Sequence, residues 1–402
     1  MIPVAEALAN ITTAMPSVAT EQVALKSALG RVLAEDVISR MTQPPSTMSA
    51  MDGYAVRAVD VAEVPATLSV IDESAAGHGF AGAVGPGEAV RIFTGAPLPE
   101  GTDTVVIQEV TGRSDDQVTV NETPMKTGAF VRPRGLDFSE GDALIRAAKK
   151  LNARDLGLAA AMNVPWLQVR RKPRVAILAT GDELVMPGVQ PGPDQIISSN
   201  SVALSAYVTA LGADPIDLGI AKDDEASLMA MLQGATGADL LVTIGGASVG
   251  DHDLVQKVLG EEGLELNFYK VAMRPGKPLI FGRLGATPVL GLPGNPVSVG
   301  VTAAVFMKPA IEALLGLPAS ANAAETARLG VDVGENDQRQ DYLRAKLTVD
   351  ADGQPIATPF DRQDSSMMAM FTAADCLVIR PPFAPEANAG DAVEIIRLGG
   401  GL

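Results

Sequence analysis

Apolar residues change their spacing several times along the chain, and each change marks a region. Val4, Leu8, Ile11 and Val18 recur at helical intervals, and Val23 to Val37 continue as a second helical stretch. Gln43-Pro44-Pro45 ends this region, because proline lacks a donor and pushes its predecessor out of helical geometry. From 46 to 135 the pattern shortens to β-type runs, Leu68–Ile71, Ala89–Phe93, Thr104–Gln108 and Gln117–Val120, between Gly and Pro turns. Helical spacing returns over 136–172, centred on Leu151–Met162. The β module at 46–135 is therefore read as an insertion into a helical linker domain built from 1–45 and 136–172.

From 173 to 318 strands and helices alternate. Val175–Thr180, Leu240–Ile244 and Pro288–Gly291 have the continuous apolar character of buried strands, and each precedes a glycine-bearing loop and a helical stretch. That order predicts a parallel, doubly wound α/β domain. The last region, 319–402, alternates apolar and polar residues, as in Tyr342-Leu343-Arg344-Ala345-Lys346-Leu347, and is read as a small β-barrel or sandwich. The expected fold class is multidomain α/β plus β.

In doubly wound sheets ligands sit where loops converge at the carboxyl ends of the strands. Three loops there are chemically loaded. Thr180-Gly181-Asp182-Glu183-Leu184 combines a tight turn with two acids, although a plain helix cap would use the same residues. Gly245-Gly246-Ala247-Ser248-Val249-Gly250-Asp251-His252-Asp253 offers close backbone approach, a hydroxyl and two alternate carboxylates suited to Mg²⁺; His252 reads as structural. Gly291-Leu292-Pro293-Gly294-Asn295-Pro296-Val297-Ser298 opens an apolar helix, whose N-terminus favours anions. Just before it, Arg274-Pro275-Gly276-Lys277-Pro278 adds fixed positive charge, or is a surface turn. A phosphate or other oxyanion site follows from the pair. Upstream, Ser49-Ala50-Met51-Asp52-Gly53-Tyr54-Ala55 surrounds an acid and a glycine with apolar residues, which is unusual for a solvated loop and also compatible with a domain-linking strand.

Composition narrows the partners. A net charge of −17 argues against nucleic acid and anionic membrane surfaces, which need clustered Lys and Arg. In so acidic a chain an anion site must generate its own local field. One cysteine, Cys376, excludes an internal disulfide and a cysteine-based zinc site. The most apolar window, Val297 to Phe306, is too short to cross a membrane, and the N-terminus lacks the features of a signal peptide. A cytoplasmic location is expected. The length of 402 residues fits about three domains.

The motifs SAMDGYA at 49–55, TGAPLPEGTDTVV at 94–106, RPRGLDFSEGD at 132–142, TGDEL, GGASVGDHD, RPGKP and GLPGNPVS occur in an order that resembles the molybdopterin molybdenumtransferases of the gephyrin-related family, over essentially the whole length. The resemblance implies an elongated, four-domain, homodimeric subunit that inserts molybdate into adenylylated molybdopterin, releasing AMP with Mg²⁺ assistance. It implies functional acids at Asp52, Asp137, Glu183, Asp223 and Asp253, a hydroxyl at Thr94, and cations at Lys270, Arg274 and Lys277. Asp253 and Glu183 would hold the metal. Gly245, Gly246, Ser248 and Gly250 would cradle phosphate, with Gly294, Asn295, Pro296 and Ser298 lining the second loop. Arg274, Lys277 and Ser298 would hold molybdate, with Arg344 and Ser365 reaching over from the C-terminal region, and Asp52 and Thr94 supplied by the other subunit. Other molybdenum cofactor biosynthesis proteins are the expected partners beyond the dimer. Three positions depart from the family pattern: Arg274 in place of a lysine, Ser198 in place of an aspartate, and Asp364 in place of a glycine flanking Ser365. The alternative functions are molybdopterin adenylylation and a non-catalytic molybdopterin-binding scaffold.

Overall fold

The computed structural model describes residues 1–124, 126–246, 254–318, 324–399 and 401–402. At its centre is a six-stranded sheet in the order Asp214–Ala221, Arg174–Thr180, Leu240–Ile244, Thr287–Leu292, Pro278–Leu284, Leu264–Lys270. The first four strands run parallel. Alternate residues face opposite sides of a strand. Val175 and Ile177 therefore join one core with Leu204 and Tyr207 of helix Asn200–Leu211 and with the helix that starts at Pro296. Ala176 and Leu178 join the opposite core with Leu228, Val258 and Leu259. Covered faces on both sides explain the uninterrupted apolar strands.

The sheet departs from the expected all-parallel order at one edge. Strands Pro278–Leu284 and Thr287–Leu292 are antiparallel, with Leu284 opposite Thr287, so only Gly285-Ala286 connects them. A two-residue connection can join only antiparallel neighbours, and Gly285 supplies the positive φ of 58°. Leu264–Lys270 adds a second antiparallel partner outside it. The doubly wound part thus occupies the four parallel strands, and its order reverses between Arg174–Thr180 and Leu240–Ile244.

The N-terminal helix forms at Val4–Ala14 as the spacing predicts, burying Val4, Ala7 and Ile11 in the central core. The second predicted helix, Val23 to Val37, is not helical. Thr20–Ala24 is a strand paired antiparallel with Trp166–Arg170, Leu25–Ser27 is one 3₁₀ turn, and Val37–Ile38 pairs with Ala143–Ile145. Gly30, at φ 74°, interrupts any continuous helix. Long-range pairing across more than a hundred residues has overridden the local periodicity. Helix Ala153–Ala161 follows the expected pattern, opened by a capping box between Asn152 and Asp155.

The inserted region forms a six-stranded sheet that includes all four predicted runs together with Gly53–Val56 and Thr111–Ser114. At the C-terminal end, Gln340–Val349, Pro355–Pro359, Glu325–Leu329, Ala392–Arg397 and Cys376–Arg380 pair in sequence, and the last returns to the first, closing a five-strand barrel. Barrel, rather than sandwich, is the outcome.

Helix Pro296–Leu314, with a π turn at Ala303–Met307, is by length and composition long enough to cross a membrane, contrary to the sequence reading. Within the protein, however, 83% of that window is buried between the sheet and the barrel. It is a core helix.

Candidate functional site

Three loops meet where the order of the parallel strands reverses. The Leu240–Ile244 strand leads into Gly245 and Gly246, both at positive φ (85° and 66°). The Gly245 amide donates to the Leu292 carbonyl at 3.1 Å. A Cβ on Gly245 would lie 2.8 Å from the Thr180 carbonyl, so only glycine allows the first and second loops to close on one another here. Gly294 lies within contact of the Gly245 backbone, and the Asn200 side-chain amide donates to the Gly294 carbonyl at 2.7 Å. Asn200 starts the helix that follows the first strand, so all three crossovers are tied together at this point.

Asn295 and Pro296 then open the long helix. Proline at the first position costs no hydrogen bond. Asn295 does not cap its own helix: its amide donates instead to Ser365 Oγ at 2.8 Å, and the Ser365 carbonyl accepts from the Val297 amide at 3.0 Å. The barrel loop around Ser365 is thereby seated on the helix N-terminus. Ser298 is buried one turn inside, its carbonyl accepting from Thr302 Oγ1. Arg344, on the barrel strand below Ser365, is 3% exposed. Its guanidinium donates to the carbonyls of Tyr342 and Asp364, and burial pulls it down to about 10, against the pull of Asp364 and Asp341. The extra acid at Asp364 is turned onto the Ser366 amide and hydroxyl, which hold its carboxyl below the ordinary range.

The acids of the first loop gather at the outer end. Glu183 is exposed and its carboxylate folds over Gly181, where a Cβ would lie 2.4 Å from Glu183 Oε2. The Asp223 amide donates to Asp182 Oδ1 at 3.2 Å, and Gly181 donates to the Ala221 carbonyl at 3.2 Å. The TGDEL loop does not cap a helix directly. It turns into a short parallel pair, Leu184–Val185 with Ile196–Ile197, before helix Asn200–Leu211 begins. Ser248, Gly250 and Asp253 lie outside the described residues. Among the described residues no group of three metal-ligating side chains is gathered.

The three cations have different surroundings. Arg274 is bound to Asp341, with Asp337 at 3.3 Å, which raises its pKa. Lys270 lies over the Tyr269 ring at 4.9 Å, and Lys277 is exposed.

The upstream residues form a separate cluster. Thr94 donates to Asp52 Oδ1 through its amide at 2.7 Å and its hydroxyl at 2.8 Å, which lowers the Asp52 pKa. Asp137 is exposed, its amide held by the Gln43 carbonyl at 3.0 Å. No described hydrogen bond or shared core joins Asp52, Thr94 or Asp137 to the central sheet within one chain. Sequence reasoning brought out the pair but missed Asn200 and Asp341. Asn200 had a signal, an amide side chain at a helix start, whereas Asp341 had none.

Three family models match consecutive stretches: the MoeA N-terminal region (domain I and II) over residues 2–163, the probable molybdopterin binding domain over 176–313, and the MoeA C-terminal region (domain IV) over 326–398. Among curated relatives, the molybdopterin molybdenumtransferase of Haemophilus influenzae is 36% identical, covering 94% of this chain and 93% of its own. The chain belongs to the molybdopterin molybdenumtransferase family. The enzyme of that name from Nostoc sp. is 44% identical over 74% of this chain and 70% of its own. A crystal structure of the molybdopterin biosynthesis MoeA protein from Pyrococcus horikosii is 32% identical with a TM-score of 0.86, covering 99% of both chains.

Proposed function

We propose that this chain inserts molybdate into adenylylated molybdopterin and releases AMP, in the cleft where the Gly245–Gly246 turn meets the N-terminus of helix Pro296–Leu314. The coarser statement, that it is a molybdopterin molybdenumtransferase acting in molybdenum cofactor biosynthesis, follows from the family. The observation that carries the finer one is the seating of Ser365 on the Asn295–Val297 helix start. It brings a serine from the barrel, a helix N-terminus and a glycine turn to one place, the combination an oxyanion beside a phosphate requires.

The roles divide by chemistry. The Gly246 amide, in a turn that the Gly245–Leu292 hydrogen bond holds in place, suits the phosphate of the adenylyl group. Lys277 supplies a localised charge for molybdate, with Ser298 and Ser365 as hydroxyl donors, Arg344 stiffening the barrel loop and Lys270 adding positive field. Such a site works by holding two anions together and by stabilising charge that moves to the leaving phosphate. Mg²⁺ binds through one or two carboxylates and substrate oxygens; Glu183 and Asp253 would hold it, and it would neutralise phosphate charge. Asp223 borders the nucleotide end. Asp52 and Thr94, isolated from the central sheet of their own chain, act from the second subunit of a homodimer, with Asp137 beside them. The reading includes a cytoplasmic location.

Lys277→Ala tests it. A hydrogen bond to a charged group is worth about 1.5–3 kcal/mol, so the molybdate needed for half-maximal AMP release should rise roughly ten- to a hundredfold. Binding of adenylylated molybdopterin, which has many other contacts, should change little. Parental half-saturation in this variant would place the oxyanion elsewhere.

A further inference from the structure

The loop at 274–278 carries two cations, and the fold treats them differently. Arg274, although its side chain is 47% exposed, lays its guanidinium against polar residues of the barrel. It donates to Asp341 Oδ2, to Asp337 Oδ2 at 3.3 Å and to Asn336 Oδ1 at 3.3 Å. Asp337 is held in turn by Arg339 at 2.8 Å. Two acids and two arginines thus form a cluster without net charge. Lys277, three residues on, is exposed and forms no salt bridge among the described residues.

The backbone repeats this division. Met273–Arg274 pairs in parallel with Gln340–Asp341, placing Arg274 opposite Asp341. Asp341 is 5% exposed, and its Oδ1 is buried without a hydrogen-bond partner among the described residues. A buried carboxylate with one oxygen unsatisfied is costly, so its bond to Arg274 is a strongly committed one. On the other side the loop is pressed against the long helix: a Cβ on Gly276 would lie 2.5 Å from Thr302 Cγ2, one turn beyond Ser298. The loop is pinned between the barrel and the helix that opens the oxyanion cleft.

We propose that Asp341 is a positioning residue, clamping Arg274 to the barrel so that Lys277 is the cation of this loop left to face molybdate. The inference rests on the reading of Lys277 as an oxyanion ligand. Its rival, direct binding of molybdate by Arg274, makes the opposite prediction for one substitution. Removing the Asp341 charge loosens the loop in the first case and releases a competing partner of Arg274 in the second.

The test uses the full-length protein, with AMP release from adenylylated molybdopterin followed as molybdate is titrated. Asp341→Asn should raise the half-saturating molybdate about tenfold while the maximal rate falls less than about twofold. Asp341→Glu should recover part of the loss. The double variant with Arg274→Gln should be no worse than the poorer single, because both remove one interaction. Asp337→Asn, at an exposed member of the cluster, should raise half-saturation by about two- to fivefold, and it carries the sign of the effect if Asp341→Asn does not fold. Unchanged or lower half-saturation in a folded Asp341→Asn or in Asp337→Asn overturns the clamp. Parental half-saturation in Lys277→Ala overturns the molybdate reading beneath it, a distinct result.

Discussion

Gly53 shows how narrowly single residues hold the inserted sheet. A Cβ there would lie 1.9 Å from the Val106 carbonyl on the neighbouring strand, a separation no rotamer can relieve because both parties are backbone. Strands Gly53–Val56 and Thr104–Ile107 would have to part, and Asp52, one residue before, would move with them. Gly53→Ala should therefore cost more than about 2 kcal/mol, at the upper end of overpacking. Gly112→Ala, in the same sheet but with nothing within 4 Å, should melt close to the parent. Thermal melting of both separates close approach from glycine flexibility; equal losses would refute the steric account.

Among the elements, helix Pro296–Leu314 does the most to join the molecule. Its start faces Ser365, its apolar length fills the central core, and Gly300 meets the ring of Phe371 from the barrel. A Cβ on Gly300 would lie 2.3 Å from Phe371 Cε1. Gly300→Ala should displace the barrel from the helix and lower stability by about 1–3 kcal/mol. Gly157→Ala, inside helix Ala153–Ala161 with open space around it, should stabilise by up to about 1 kcal/mol through the alanine preference of helices. Opposite signs in denaturant midpoints would separate the two mechanisms; a shared sign would contradict the packing argument.

For the whole molecule, charge sets the behaviour with pH. Asp239, at the entry to the central sheet, receives a fork from Arg171 at 2.6 and 2.7 Å and the Arg174 amide at 2.7 Å. Burial pushes its carboxyl up, but these bonds outweigh that and hold it below the ordinary 3.8. A carboxyl depressed by folding contributes stability above its unfolded pKa and loses it as pH falls through the folded one. Asp239→Asn should thus cost about 1.5–3 kcal/mol near neutral pH, and the gap to the parent should narrow as pH falls below about 4. Urea midpoints across that range check it; a constant gap would remove the ionic contribution.

Several levels of this protein were legible in the residues alone. Continuous apolar strands, glycine-bearing loops and the proline-started helix set the central α/β unit, since burial on both faces and helix-terminus chemistry are local requirements. The proposed anion site at Gly245, Gly294 and Lys277 rests on the same local requirements. The packing of distant segments was not. Val23 to Val37 reads as helix until Trp166–Arg170 supplies a strand partner, and the antiparallel edge depends on a hairpin at Gly285 that the apolar pattern does not show. The pairing of Thr94 with Asp52, the seating of Ser365 on Asn295, and the capture of Arg274 by Asp341 join residues 42, 70 and 67 positions apart. Periodicity reports what each segment can bury, whereas partnership between segments is decided by which surfaces the folded chain brings within hydrogen-bond reach.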